Sequence, residues 1–142
     1  MEIVKFEKEH LAKVARQAVQ MDMAPLIDDP SYAESLALQP HSFSAIDGDK
    51  VYACGGIIER WYGVAEAWMV IAGDMRGMFI PLHRGVSRFL DSCGYHRIEM
   101  SVAVGFDEGC RWAKMLGFNY EGKAVAYTPD GYDCYKYARV TL

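Results

Sequence analysis

At 142 residues the chain is long enough for one domain with a buried core and too short for two ordinary ones. Its 51% apolar and 13% aromatic content excludes a disordered segment, and a net charge of -4 with scattered basic residues excludes the electrostatic footprint of a nucleic-acid-binding surface. No apolar run approaches the roughly 20 residues that span a bilayer, and Met1-Glu2-Ile3-Val4 lacks the basic start of a signal peptide, so the expected compartment is the cytoplasm and neither nucleic acid nor membrane is an expected partner.

Residues 2–6 alternate as a first strand. Leu11, Val14, Ala15, Ala18 and Val19 then recur at helical spacing, with Lys13, Arg16 and Gln17 opposite, until Pro25 interrupts. The spacing of Ser31 and Glu34 is that of a capping box and predicts a second helix over 31–38, ended by Pro40. Strands over 42–46 and 51–60 flank the hairpin turn Asp47-Gly48-Asp49-Lys50. Gly55-Gly56 inside the second of them predicts a bulge or a close backbone approach.

Trp61-Tyr62-Gly63 turns the chain into a strand over 66–72, followed by a glycine-bearing loop over 73–77, a helix over 81–93, a strand over 97–103 and a helix over 107–116. The helical crossover between the strands at 66 and 97 requires them to run parallel, while the hairpins require antiparallel neighbours. Thr128-Pro129-Asp130-Gly131 predicts a last hairpin joining strands over 123–127 and 132–140. Trp68, Met69, Trp112, Met115, Phe118 and Tyr120 recur as core residues do.

Cys54, Cys93, Cys110 and Cys134 are far apart, and so are the four histidines, so no metal site is expected and the thiols read as buried or half-buried packing groups. Leu82, Val86, Phe89, Leu90 and Cys93 form the apolar face of the 81–93 helix, with His83, Arg84, Ser87, Arg88 and Asp91 pointing away. A phosphate group can rest on the N–H groups at such a helix start, and glycines in the preceding loop let it approach the backbone. Gly73, Asp74, Met75, Arg76 and Gly77 are the candidate cofactor-binding residues; the alternative is a plain loop and helix start holding no ligand.

Strand, loop, helix, strand and helix, closed by Leu116-Gly117-Phe118, resemble the acyl-CoA-binding half of the GNAT N-acetyltransferase fold. The resemblance implies an α/β domain over 1–142, a mixed and mostly antiparallel twisted sheet flanked by helices. Lys114-Met115-Leu116-Gly117-Phe118 and Tyr120-Glu121-Gly122, with Tyr127, Gly131, Asp133 and Tyr137, look like the ribosomal-protein and amino-terminal acetyltransferase branch. A narrower similarity, carried by Ala53-Cys54-Gly55-Gly56, Ala67-Trp68, Arg97-Ile98-Glu99, Gly109-Cys110-Arg111-Trp112-Ala113 and Tyr137-Ala138-Arg139, is to GNAT-like phage and prophage proteins related to the internal virion protein A family. That similarity implies a phage or prophage origin, in the host cytoplasm or the virion.

The resemblance implies acetyl-CoA as cofactor, an amine as acceptor and Glu66, on the strand before the loop, as catalytic base; the alternative for Glu66 is a solvated strand end. The family loop R/Q-x-x-G-x-G/A aligns its first position with Arg76, but its two later small positions hold Phe79 and Pro81. Phe79 adds bulk and Pro81 removes a donor, although a proline also starts helices well. The family tyrosine that serves as leaving-group acid aligns with Ala113, so no acid carries over, and Cys110 has no visible base partner. These departures keep a second reading open, a non-catalytic GNAT-fold phage protein that binds phage or host proteins.

Overall fold

The computed structural model describes residues 1–15, 30–75 and 77–142. In chain order its elements are β1 (Glu2–Lys5), α1 (Lys8–Ala15), α2 (Pro30–Ala37), β2 (His41–Asp47), β3 (Lys50–Trp61), β4 (Val64–Ile71), α3 (Phe79–Ser92), β5 (Arg97–Ala103), α4 (Asp107–Met115), β6 (Asn119–Ala124) and β7 (Cys134–Val140). The seven strands form one mixed sheet in the order β1-β2-β3-β4-β5-β7-β6. β4 and β5 run parallel through the α3 crossover, while β1–β2, β2–β3, β5–β7 and β6–β7 are antiparallel. Ala18, Val19 and the break expected at Pro25 lie outside the described residues.

The chain groups into two compact units, Met1–Ile58 with Trp68–Leu82, and Glu59–Ala67 with His83–Leu142. In the first, Phe6, Leu11, Val14, Ala33, Leu36, Val51, Cys54 and Val70 form the buried core. The Phe6 and Trp68 rings meet edge to face at 5.4 Å, the preferred aromatic geometry. α2 begins at Pro30, so Ser31 stands inside its first turn rather than at the cap; a proline there forfeits only an N–H that the helix does not use.

Gly55 and Gly56 mark a close approach, and the irregularity in the ladder lies elsewhere, between Ala45 and Ile46. A Cβ at Gly56 would land on the His41 carbonyl oxygen and within 2.9 Å of Ser42 Cα. One at Gly55 would meet the end of the Met69 side chain at 2.7 Å. Gly56 therefore passes β2, and Gly55 passes β4, where no side chain fits.

The second unit buries Leu90, Ile98, Val102, Trp112, Ala113, Leu116, Phe118, Tyr137 and Ala138. His83 does not point to solvent as its helical position predicts. It is half-buried, and its Nδ1 accepts a hydrogen bond from Trp112 Nε1 at 3.0 Å, which gives the buried indole a partner. Met115 and Tyr120, expected in the core, are more than half exposed.

The last hairpin exists with shifted strands. β6 occupies 119–124 rather than 123–127, and β7 starts at Cys134 rather than at 132. The turn chemistry at 128–131 is real: Gly131 N–H donates to the Thr128 carbonyl at 2.8 Å, with Gly131 at φ +82°, and the Thr128 hydroxyl accepts from Tyr132 N–H at 2.9 Å. It closes a tight turn inside a longer connection, so residues 125–127 lie outside the ladder.

Candidate functional site

Gly73, Asp74, Met75 and Gly77 belong to the first unit, in the loop between β4 and α3. Arg76 lies outside the described residues. Gly73, Asp74 and Gly77 are exposed, and Met75 is half-buried. Met78 N–H donates to the Met75 carbonyl at 2.9 Å, closing a turn in which Gly77 adopts φ +79°. That torsion is open to glycine and strained for other residues. Among the described residues, a Cβ built on Gly77 meets no atom within 4 Å beyond its chain neighbours, so the backbone there borders open space.

α3 starts at Phe79, two residues before its expected start, and its first helical hydrogen bond runs from Leu82 N–H to the Met78 carbonyl at 3.1 Å. Pro81 is thus the third helical residue, where the helix requires no N–H from it. The ring costs the helix little and withdraws a donor from an anion. Open backbone at Gly77 and the helix start fit an anionic group; Phe79 and Pro81 reduce that fit.

The loop is tied from behind. Lys50, the first residue of β3, donates from Nζ to the Asp74 carbonyl at 2.9 Å, and its ammonium lies 4.9 Å from the centre of the Tyr52 ring. Ala72 N–H donates to the Tyr52 carbonyl at 2.8 Å, so the start of β3 holds both the end of the strand and the start of the loop. Sequence spacing carries no signal for Lys50, which reads only as the last residue of a hairpin turn.

Glu66 belongs to the second unit and is the third residue of β4 rather than a free strand end. Arg60 Nε donates to its Oε2 at 3.0 Å, and Arg60 Nη2 donates to the same oxygen. The carboxylate raises the Arg60 pKa above its ordinary value through that bond. Glu66 is the register partner of Glu99 on β5. Arg97 lies 3.7 Å from Glu99 and bonds Glu121 through both guanidinium Nη groups, which lowers the Glu121 pKa. Arg60 escaped the sequence reading because only the course of the chain between β3 and β4 brings it to Glu66.

Ala113, at the family tyrosine's position, is fully buried. A phenol does occur near that helix: Tyr137 on β7 is 4% exposed, and burial with the neighbouring Cys110 thiol pushes its pKa to about 12. Cys93 and Cys110 are half-buried and Cys54 and Cys134 buried, none of them in a disulfide. Among the described residues no group of three His, Cys, Asp or Glu side chains is placed to hold a metal, and no helix is long and apolar enough to cross a membrane.

No family model matches the chain, and no curated protein matches it. Solved structures do. The ribosomal-protein-S18-alanine N-acetyltransferase of Escherichia coli superposes with a TM-score of 0.73 at 16% identity, covering 99% of this chain and 94% of that one. A GNAT-family acetyltransferase of Bacillus anthracis gives a TM-score of 0.68 at 14% identity, covering 97% and 93%. A mutant spermidine N-acetyltransferase of Vibrio cholerae gives 0.66 at 16%, covering 99% and 95%. At these identities the likeness is one of fold, and the fold is that of the GNAT acetyltransferases.

Proposed function

We propose that this chain is a phage- or prophage-encoded GNAT-fold N-acetyltransferase that takes an acetyl group from acetyl-CoA to an amine. The observation that carries the reading is the open backbone at Gly77, φ +79°, at the start of α3 in this fold. Gly73, Asp74, Met75, Arg76 and Gly77 would hold the pyrophosphate through backbone donors and the helix dipole. Acetyl-CoA, when bound, supplies the activated acetyl thioester.

The chain's own contribution is to bind, to orient and to take a proton. An acceptor arrives as an ammonium ion and attacks only as the free amine, so a base must remove a proton. Glu66 is that base in this reading. Both bonds from Arg60 converge on Oε2, which leaves Oε1 as the oxygen that takes the proton. With a buried alanine at position 113, the departing thiolate takes its proton from water.

A second reading is a non-catalytic GNAT-fold phage protein that binds phage or host proteins. Phe79 and Pro81 at the small positions of the loop favour it, as does the engagement of Glu66 by Arg60. Isothermal titration with acetyl-CoA and with CoA separates the two. Micromolar binding supports the acetyltransferase. No heat, with no thermal shift at millimolar ligand, rejects it in favour of a protein that works by its surface.

A further inference from the structure

Pro81 has taken a donor from the helix start and Phe79 adds bulk there, and the structure places a cation against the loop. Lys50 Nζ is fixed on the Asp74 carbonyl at 2.9 Å and lies 4.9 Å from the Tyr52 ring centre. A trans peptide is planar, with its C=O and N–H pointing in opposite directions. Drawing the Asp74 carbonyl toward Lys50 therefore turns the Met75 N–H away from the β2–β3 hairpin. An ammonium group has three donors, and the Asp74 carbonyl occupies one of them.

We propose that Lys50 is the positioning cation of the anion-binding loop: it orients the Met75 N–H and adds positive charge beside a bound pyrophosphate, offsetting the donor withdrawn by Pro81 and the bulk added by Phe79. This rests on the reading of the loop as an acyl-CoA site. It differs from that reading in assigning the charge to the β2–β3 hairpin, outside the strand-loop-helix segment that carries the family pattern. A lysine suits the task because its compact charge is held by a carbonyl and a ring.

The test is titration of acetyl-CoA and of inorganic pyrophosphate into the full chain and into Lys50→Met, Lys50→Gln and Lys50→Arg, with a thermal melt of each. Charge-assisted hydrogen bonds set the scale, so Lys50→Met should weaken acetyl-CoA about tenfold or more, with a larger loss at low salt than at high. Lys50→Arg should retain more affinity than Lys50→Gln, because it keeps the charge. Should Lys50→Met fail to fold, that ordering of the other two decides. Wild-type binding with equal affinity in folded Lys50→Met, or equal affinity in Lys50→Gln and Lys50→Arg, overturns the role of Lys50 alone. Absence of binding in the wild type overturns the acyl-CoA reading and the role of Lys50 with it.

Discussion

Arg60 grips Glu66 on a single oxygen: Nε and Nη2 both donate to Oε2, on side chains 46% and 25% exposed. The pair is a stabilising contact of at most about 1 kcal/mol at that exposure. Its larger consequence is chemical, since one carboxylate serves both an ion pair and the proposed proton transfer. Glu66→Gln should lower acetyl transfer about a hundredfold or more while the melting temperature moves little. Steady-state rates against pH check this, and an unchanged rate removes Glu66 from the chemistry. Arg60→Met should alter the pH profile of transfer, whereas a role confined to stability would leave the profile in place.

The two adjacent glycines of β3 predict different costs for the same substitution. Gly56→Ala drives a methyl into the His41 carbonyl, a backbone atom that cannot move without breaking the ladder. It should destabilise by about 1–3 kcal/mol or prevent folding. Gly55→Ala meets the flexible end of Met69, which can change rotamer, and the Trp68 carbonyl only at 3.0 Å, so its cost should be smaller. Urea unfolding of both variants ranks them, and equal losses would contradict the geometry.

His83 and Trp112 make a further pair whose removal is asymmetric. His83→Leu leaves the indole N–H of Trp112 without its 3.0 Å acceptor inside the second unit and should cost about 1–3 kcal/mol. Trp112→Phe removes donor and ring area together. A double-mutant cycle by urea unfolding should return a coupling energy well above the few tenths of a kcal/mol typical of independent sites.

Alkaline pH should unfold the protein through two buried acids. Burial raises the Cys54 thiol to about 12 from 9.0 and the Tyr137 phenol to about 12 from 10.0. Between those values the unfolded chain releases protons that the folded chain keeps. Stability is therefore fully present below about pH 9 and falls as pH rises toward 12. Urea midpoints from pH 8 to 11 measure the slope, and Cys54→Ala should flatten it. An unchanged slope in that variant would mean that the thiol titrates alike in both states.

Much of the architecture was legible in the sequence because it depends on local periodicity. The strand over 97–103 matches β5 to the residue, and the parallel β4–β5 pairing follows from a helix-length crossover. The close approach at Gly55-Gly56 was readable because glycine inside a strand has few other uses. The last hairpin was misread by four residues at its first strand, since turn signals at 128–131 locate a turn without saying how long the connection around it is.

By itself, then, the sequence determined the order of elements, the helical crossover between β4 and β5 and the glycine-bearing loop before α3, all of which are written in residue spacing and in the torsional limits of glycine and proline. Only the tertiary structure decided that Arg60 holds Glu66, that Lys50 holds Asp74, that His83 turns inward to Trp112 and that Tyr137 lies beside Cys110. Each of these joins residues on different elements. Hydrogen bonds and charges act over a few ångströms of space, and linear spacing does not report which distant residues the sheet and helices bring within that range.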